Sequence, residues 1–253
     1  FIDIFSPGDL IIDGGAHQGR FSAEMSLRYP EAHVVSVEAN PALVDDMARR
    51  QRSWIVPSTH IVWGVLGEVR DGDSLFYVSK NSWASSVIKS GAGRGGGDLV
   101  GISEEILVPR TDLSRLLDLT RSATCALLKL DIEGAELEVL GGGVGDKLCN
   151  VAQISVEFHH FQGVYSQETV IRTIAALLDR DFILLQSNSN FMDCLFFNMK
   201  FAHLLDERGL ARVTSSGLAE GRRLIYSAKE AINHFRLKAK RNGAGRRLIG
   251  GRE

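Results

Sequence analysis

Leu10-Ile-Ile-Asp-Gly-Gly-Ala-His-Gln-Gly19, followed by Val34-Val-Ser-Val-Glu-Ala-Asn-Pro41, decides the fold of this chain. A short apolar run ends in an acid and a glycine-rich turn. A second apolar run then ends in another acid, Glu38, nineteen residues beyond Gly19. The first run is too short for a helix and reads as a strand buried on both faces of a parallel sheet. The layout is that of a βαβ nucleoside-binding unit. Its first turn brings backbone close to a ligand at a helix N-terminus, and its second acid accepts hydrogen bonds from a ribose diol.

The same alternation continues outward. A helix from Gly19 stops at Pro30, His33–Glu38 is the second strand, and Pro41 opens a helix running to about Gln51. Ile61–Leu66 reads as a third strand. The turn Asp71-Gly-Asp-Ser74 reads as a hairpin between Val65–Val69 and Leu75–Val78. Residues 90–101 hold six glycines, a surface loop or a lid over a site. Ile106–Val108 is a short strand, and Thr111-Asp112 begins a helix. Leu127–Asp131 is again a buried strand, followed by a helix over Gly134–Leu140. Val151–Phe158 is the next strand, and Ser166 caps a helix that buries Val170, Ile174 and Leu177. Phe182–Gln186 and Met192–Asn198 form an antiparallel pair that closes the sheet. The fold class is therefore α/β, a mostly parallel sheet with an antiparallel terminal strand and helices on both faces.

Ligands of such sheets sit beyond the carboxyl ends of the strands. Asp13, Glu38, Asp131 and Glu157 all fall there, as do His159 and His160. Residues 1–200 form the expected domain, with 201–253 a basic, partly helical extension that has 12 Lys/Arg against 5 Asp/Glu. The whole chain is at −2. No basic patch interleaved with aromatics marks a nucleic-acid surface, and no apolar run is long enough to span a membrane. Cys125, Cys149 and Cys194 form no metal motif and suit a reducing, cytoplasmic setting. Phe1 stands where no initiator Met or signal peptide is evident, which points to residues upstream.

The turn reads D-x-G-x-x-x-G, from Asp13 through Gly15 to Gly19. A dinucleotide pyrophosphate needs all three glycines of G-x-G-x-x-G. S-adenosylmethionine has no phosphate there. It needs close backbone for its amino-acid part and a carboxylate, such as Asp13, facing its positive charges. This favours S-adenosylmethionine over NAD.

Ile12-Asp-Gly-Gly-Ala-His-Gln-Gly19, Glu38-Ala-Asn-Pro41 and Leu128-Lys-Leu-Asp-Ile-Glu-Gly-Ala-Glu-Leu-Glu-Val-Leu140 together resemble the FkbM-type methyltransferases, whose patterns read approximately DvGAnvG, EPnP and KiDvEGaE. The resemblance covers about residues 8–200. It implies a class I methyltransferase (Rossmann-like) fold, S-adenosylmethionine as methyl donor, and O-methylation of a hydroxyl on a sugar, glycan or secondary metabolite. Carried over, Asp13, Gly15, Ala16 and Gly19 form the cofactor turn, Glu38 binds the ribose and Asn40 stands beside it. Lys129, Asp131 and Glu133 line the reacting side, and Glu157 and His159 match an E-x-H pattern. His17 replaces the family's usual Asn, and Ala39 the first Pro of EPnP. Ser85-Ser86 fits a serine cluster often seen in the family.

Asp131 is the candidate base, against the plainer role of helix N-cap. Lys129 orients Asp131 or the substrate, or is simply ion-paired. His159 and His160 point to opposite sides of an extended backbone, and His159 is the candidate base or substrate contact. Glu133 and Glu136 enter a helix whose dipole favours acids. Glu133 and Glu157 are candidate substrate contacts. A divalent ion on Asp131, Glu157 and a neighbour is a further reading, but no metal ligand set is assigned. The competing functions are an NAD-dependent oxidoreductase and a non-catalytic nucleoside-binding module.

Overall fold

The computed structural model describes residues 1–51, 59–67, 72–80, 85–87, 101–141, 143–160 and 163–224. Most of the glycine-rich stretch 90–101, and the basic extension beyond residue 224, lie outside the described residues.

The first unit forms as the two quoted stretches require. β1 (Leu10–Gly14) is buried along its whole length and pairs in parallel with β2 (His33–Glu38). Between them runs α1 (Arg20–Arg28). α2 (Pro41–Gln51) follows β2 and leads to β3 (Thr59–Trp63), which pairs with β2. β8 (Cys125–Leu130) lies on the other side of β1, and β9 (Gln153–Glu157) beside β8. β10 (Phe182–Ser187) and β11 (Asp193–Asn198) complete a seven-stranded sheet in the order β10-β11-β9-β8-β1-β2-β3. β11 is antiparallel to both its neighbours. The last strand therefore wedges between β9 and β10 and leaves β10 at the edge.

The main core is built where the apolar runs predict. Leu10, Ile12, Val35, Leu128, Leu130 and Ile154 pack with Leu116 of α3 (Leu113–Thr120), Val139 of α4 (Glu136–Gly141) and Ile174 of α5 (Gln167–Leu178). Each such fully buried aliphatic side chain contributes about 1.5–3 kcal/mol. Two caps fall where expected. Asp112 accepts from the Arg115 N–H at 2.9 Å and Ser166 from the Thr169 N–H at 3.2 Å.

Two expectations are corrected. Ile61–Leu66 is not one strand. The chain leaves the sheet at Gly64, where a Cβ would stand 3.1 Å from the Pro109 carbonyl. β4 (Val65–Leu66) then pairs with β7 (Arg110–Thr111). Nor do Val65–Val69 and Leu75–Val78 form a hairpin. β5 (Ser74–Ser79) pairs antiparallel with β6 (Ile102–Val108). The turn chemistry at 71–74 does not identify the partner of β5. Burial of Phe76 with Val65 and Val108 sets the long-range pairing.

Beyond the sheet, α6 (207–224) lies against β10 and β11. Val213 is buried with Phe197 and Ile2. Ser187 Oγ donates to Glu220 Oε2 at 2.6 Å, and Arg223 Nη1 donates to the Ser187 carbonyl at 2.7 Å. Among the described residues no helix is long and apolar enough to cross a membrane.

Candidate active site

The turn after β1 is shaped by two close approaches. Gly15 has φ 73°, and a Cβ there would lie 1.8 Å from the Asp131 carbonyl oxygen. Only glycine lets the turn press against the end of β8. The Asp131 N–H donates to the Gly14 carbonyl at 3.1 Å, closing the same junction. Gly19, at φ 71°, starts α1 in the left-handed conformation. His17 is also left-handed, at φ 51°. Asn and His are both enriched there, so the departure from the family pattern keeps the backbone shape.

That shape positions Glu38. Its Oε2 accepts from the His17 N–H and its Oε1 from the Asn40 N–H, each at 2.8 Å. A carboxylate has roughly four acceptor positions, so room remains for a ligand hydroxyl. Burial raises the Glu38 pKa above its ordinary value, against the pull of the Asn40, His17 and Ala39 amides. Asn40 does not line the cavity. Its Oδ1 accepts from the Ala42 N–H at 3.0 Å, so it starts α2 and braces Glu38.

A cavity of about 290 Å³ opens here, lined by Gly15, Ala16, Glu38, Lys129, Asp131 and Glu133 among others. Beyond Glu38 its wall turns apolar, with Ala39, Val65, Phe76 and Val87. Phe76 and Val87 escaped sequence reasoning: Phe76 is placed by the long-range pairing of β5 with β6, and Val87 by the bridge of Ser86 to Tyr77. A second cavity, of about 360 Å³, lies over β8, β9 and β11 and is lined by Ser155, Glu157, Gln186 and Asp193. Lys129 and Asp131 line both cavities.

Asp13 stands behind this wall and is fully buried. Its Oδ2 accepts from Ser22 Oγ at 2.7 Å, and its Oδ1 is 3.0 Å from Lys129 Nζ. Its charge thus reaches the cavity through Lys129. Burial alone would lower the Lys129 pKa, but Asp13 and Asp131 outweigh it and raise it. The amine stays a cation and cannot act as a base. Asp131 Oδ2 lies 3.7 Å from Lys129 Nζ, while its Oδ1 lies 3.7 Å from His159 Nε2. Asp131 precedes α4 by five residues and does not cap it; that helix begins at Glu136.

His159 is almost wholly buried. Its Nδ1 is 2.8 Å from Glu136 Oε1, and its Nε2 is 3.5 Å from Glu133 Oε2. Burial would lower the imidazole pKa, but the Glu136 hydrogen bond and the charges of Glu136, Glu133 and Asp131 together raise it to about 9. Glu136 is itself fully buried, far from the solvated helix-entry role suggested by its position. Its Oε1 accepts from the Gly134 and Ile132 N–H groups at 3.0 and 3.2 Å, and its Oε2 from Tyr165 Oη at 2.7 Å. Tyr165 Oη in turn accepts from the His159 N–H at 2.7 Å. No pattern in the sequence marks Tyr165. Glu133 adopts a left-handed backbone at φ 53°, and Ser86 Oγ donates to its carbonyl at 2.6 Å. The serine pair thereby acquires a physical role: Ser85 accepts from the Ser79 N–H at 3.0 Å, and Ser86, bridged to Tyr77 of β5, ties this segment to the loop after β8.

Glu157 lies apart from this cluster, in the second cavity, opposite Asp193 in the β9–β11 register. Its carboxyl pKa is raised by burial first and by Asp131 second.

Comparison with known proteins fits this geometry. The family model for the methyltransferase FkbM domain matches residues 13–184. Among solved structures, the chain is similar to a methyltransferase FkbM from Methylobacillus flagellatus KT at 15% identity and a TM-score of 0.46, over 76% of this chain and 44% of that one. It is also similar to an rRNA methylase from Streptococcus thermophilus at 9% identity and a TM-score of 0.41, over 77% of this chain and 87% of that one. The chain thus spans less than half the length of the FkbM structure. No curated protein sequence matches it. The family match covers well over half the chain, its three motifs meet at one site, and the sheet is Rossmann-like, with the class I methyltransferase arrangement expected. This chain belongs to the FkbM methyltransferase family.

Proposed function

We propose that the chain transfers the methyl group of S-adenosylmethionine to a hydroxyl of a polyhydroxylated acceptor, a sugar or glycan. The observation that carries this reading is that Lys129 and Asp131 form a wall common to two cavities. One cavity suits a nucleoside. The other is polar, with Ser155, Glu157, Gln186 and Asp193 offering hydrogen bonds to hydroxyls.

S-adenosylmethionine, when bound, supplies a methyl group that is already activated for in-line displacement. The chain's own residues do the rest. Glu38 holds the ribose diol, the backbone of Gly15 and Ala16 admits the amino-acid part, and the wall of Phe76 and Val87 covers the base. Holding methyl and hydroxyl in line supplies about 7–11 kcal/mol of the barrier. Proton removal by a base adds about 10²–10⁴-fold. Lys129 and His159 are both cations before substrate binds, so the base is Asp131, steadied between them.

The missing third fingerprint glycine counts against NAD. Turnover separates an enzyme from a binding module. The test is transfer of labelled methyl groups to a panel of sugars and glycans, comparing wild type with Asp131→Ala. Transfer by wild type and its loss in the variant supports the reading. Donor binding without transfer to any acceptor favours the non-catalytic module.

A further inference from the structure

One oxygen each of Asp131 and Glu133 and one nitrogen of His159 lie within 4.8 Å of one another. His159 Nε2 is 3.5 Å from Glu133 Oε2 and 3.7 Å from Asp131 Oδ1. Around a divalent ion with bonds of about 2.1–2.2 Å, neighbouring ligand atoms sit about 3 Å apart. Closing these gaps needs only small side-chain movements.

A buried imidazole distinguishes this cluster from a group of surface acids. His159 Nδ1 is held by Glu136, which is in turn fixed by two backbone amides and Tyr165. The ring is thereby locked with Nε2 directed between the two carboxylates. A carboxylate behind the second nitrogen is how metal-binding imidazoles are oriented. Asp131 and Glu133 both face the first cavity, and Asp131 also faces the second. The ion's remaining positions would be open to small molecules. The ion takes the place of the proton on His159 Nε2, and Asp131 and Glu133 set two negative charges against its 2+.

We propose that Asp131, Glu133 and His159 bind one divalent cation of the Mn²⁺ kind. Oxygen-only ligands favour Mg²⁺ or Ca²⁺, and several nitrogen or sulfur ligands favour Zn²⁺, whereas this mixed set suits Mn²⁺. The ligand set differs from one that includes Glu157, which lines the second cavity opposite Asp193 in the strand register. In catalysis, a use that rests on the methyl-transfer reading above, the ion takes the acceptor hydroxyl as a ligand and makes it more acidic. The O–H proton passes to Asp131 Oδ2, on the Lys129 side. The oxygen bonds to the methyl carbon, and the C–S bonding pair returns to sulfur, leaving S-adenosylhomocysteine.

The test is Mn²⁺ binding by the whole chain after chelator treatment, followed through loss of the free-ion electron paramagnetic resonance signal. One ion per chain is expected. Glu133→Gln and His159→Ala should abolish binding, while Glu136→Gln should weaken it about 10–100-fold. Binding of S-adenosylhomocysteine by calorimetry shows that each variant is folded. No Mn²⁺ uptake by wild type at millimolar ion, or equal uptake in folded Glu133→Gln and His159→Ala, overturns the proposal. Tight Mn²⁺ binding by a chain that methylates nothing supports the ion site and counts against methyl transfer.

Discussion

Lys129 Nζ lies 3.0 Å from Asp13 Oδ1, joining the strand that opens the nucleoside turn to the strand that carries Asp131. Asp13 is fully buried, and Lys129 is its charged partner. Lys129→Met should destabilise the fold by about 3 kcal/mol, because an unpaired carboxylate is left inside. Adding Asp13→Asn should recover much of that loss. Urea unfolding of the two single variants and the double variant measures the coupling, and strictly additive losses would show that the pair is not one unit.

Gly15→Ala should cost at least about 2 kcal/mol. It combines a left-handed φ with a Cβ driven into the Asp131 carbonyl. Cofactor affinity should fall with it, since the turn must move away from β8. Thermal unfolding and calorimetry with S-adenosylhomocysteine report both effects. A variant as stable as wild type would mean that the turn is less tightly pressed than described.

Glu38→Ala should weaken S-adenosylhomocysteine binding by about 1–3 kcal/mol, the usual range for a lost buried hydrogen-bond partner. Unchanged affinity in calorimetry removes Glu38 from the ribose role.

The same residue sets a pH dependence. Burial raises the folded-state pKa of Glu38 above its ordinary 4.5. Between 4.5 and that higher value the free folded chain holds a proton that the unfolded chain has released. Glu38 therefore lowers the stability of the free chain as pH rises through this window. A ribose diol donates to the ionised carboxylate, so cofactor binding should weaken as pH falls through the folded-state value. Calorimetry from pH 8 downward tests this, and Glu38→Ala should flatten the profile.

Gly217→Ala probes how α6 is seated. A Cβ there would stand 2.2 Å from Ile183 Cγ2 on β10. Overpacking of this kind costs about 1–3 kcal/mol. A loss of that size in cooperative unfolding would show that the helix melts together with the sheet, and a separate transition would show that it does not.

The sheet was legible because each of its strands carries a local signal. Leu10–Asp13 and Leu127–Leu130 are continuous apolar runs, and Ser166 and Asp112 are chemically evident caps. Glu38 and Asp131 were legible because acids at the ends of buried strands have few structural uses. What stayed hidden depends on contacts distant in sequence. Glu136 sits at a helix entry like any solvated acid, and only the return of β9 and Tyr165 turns it inward. Phe76 reaches the cavity through pairing across the interval from Ser79 to Ile102. Asp13 occupies a motif position for ligand contact, yet Ser22 and Lys129 take up both its oxygens.

The contact of Gly15 with the Asp131 carbonyl is made of main chain on both sides. The span from the Gly15 turn to the end of β8 is thus set by main-chain packing and not by any replaceable side chain. Side chains of the surrounding loops can therefore change without altering that distance.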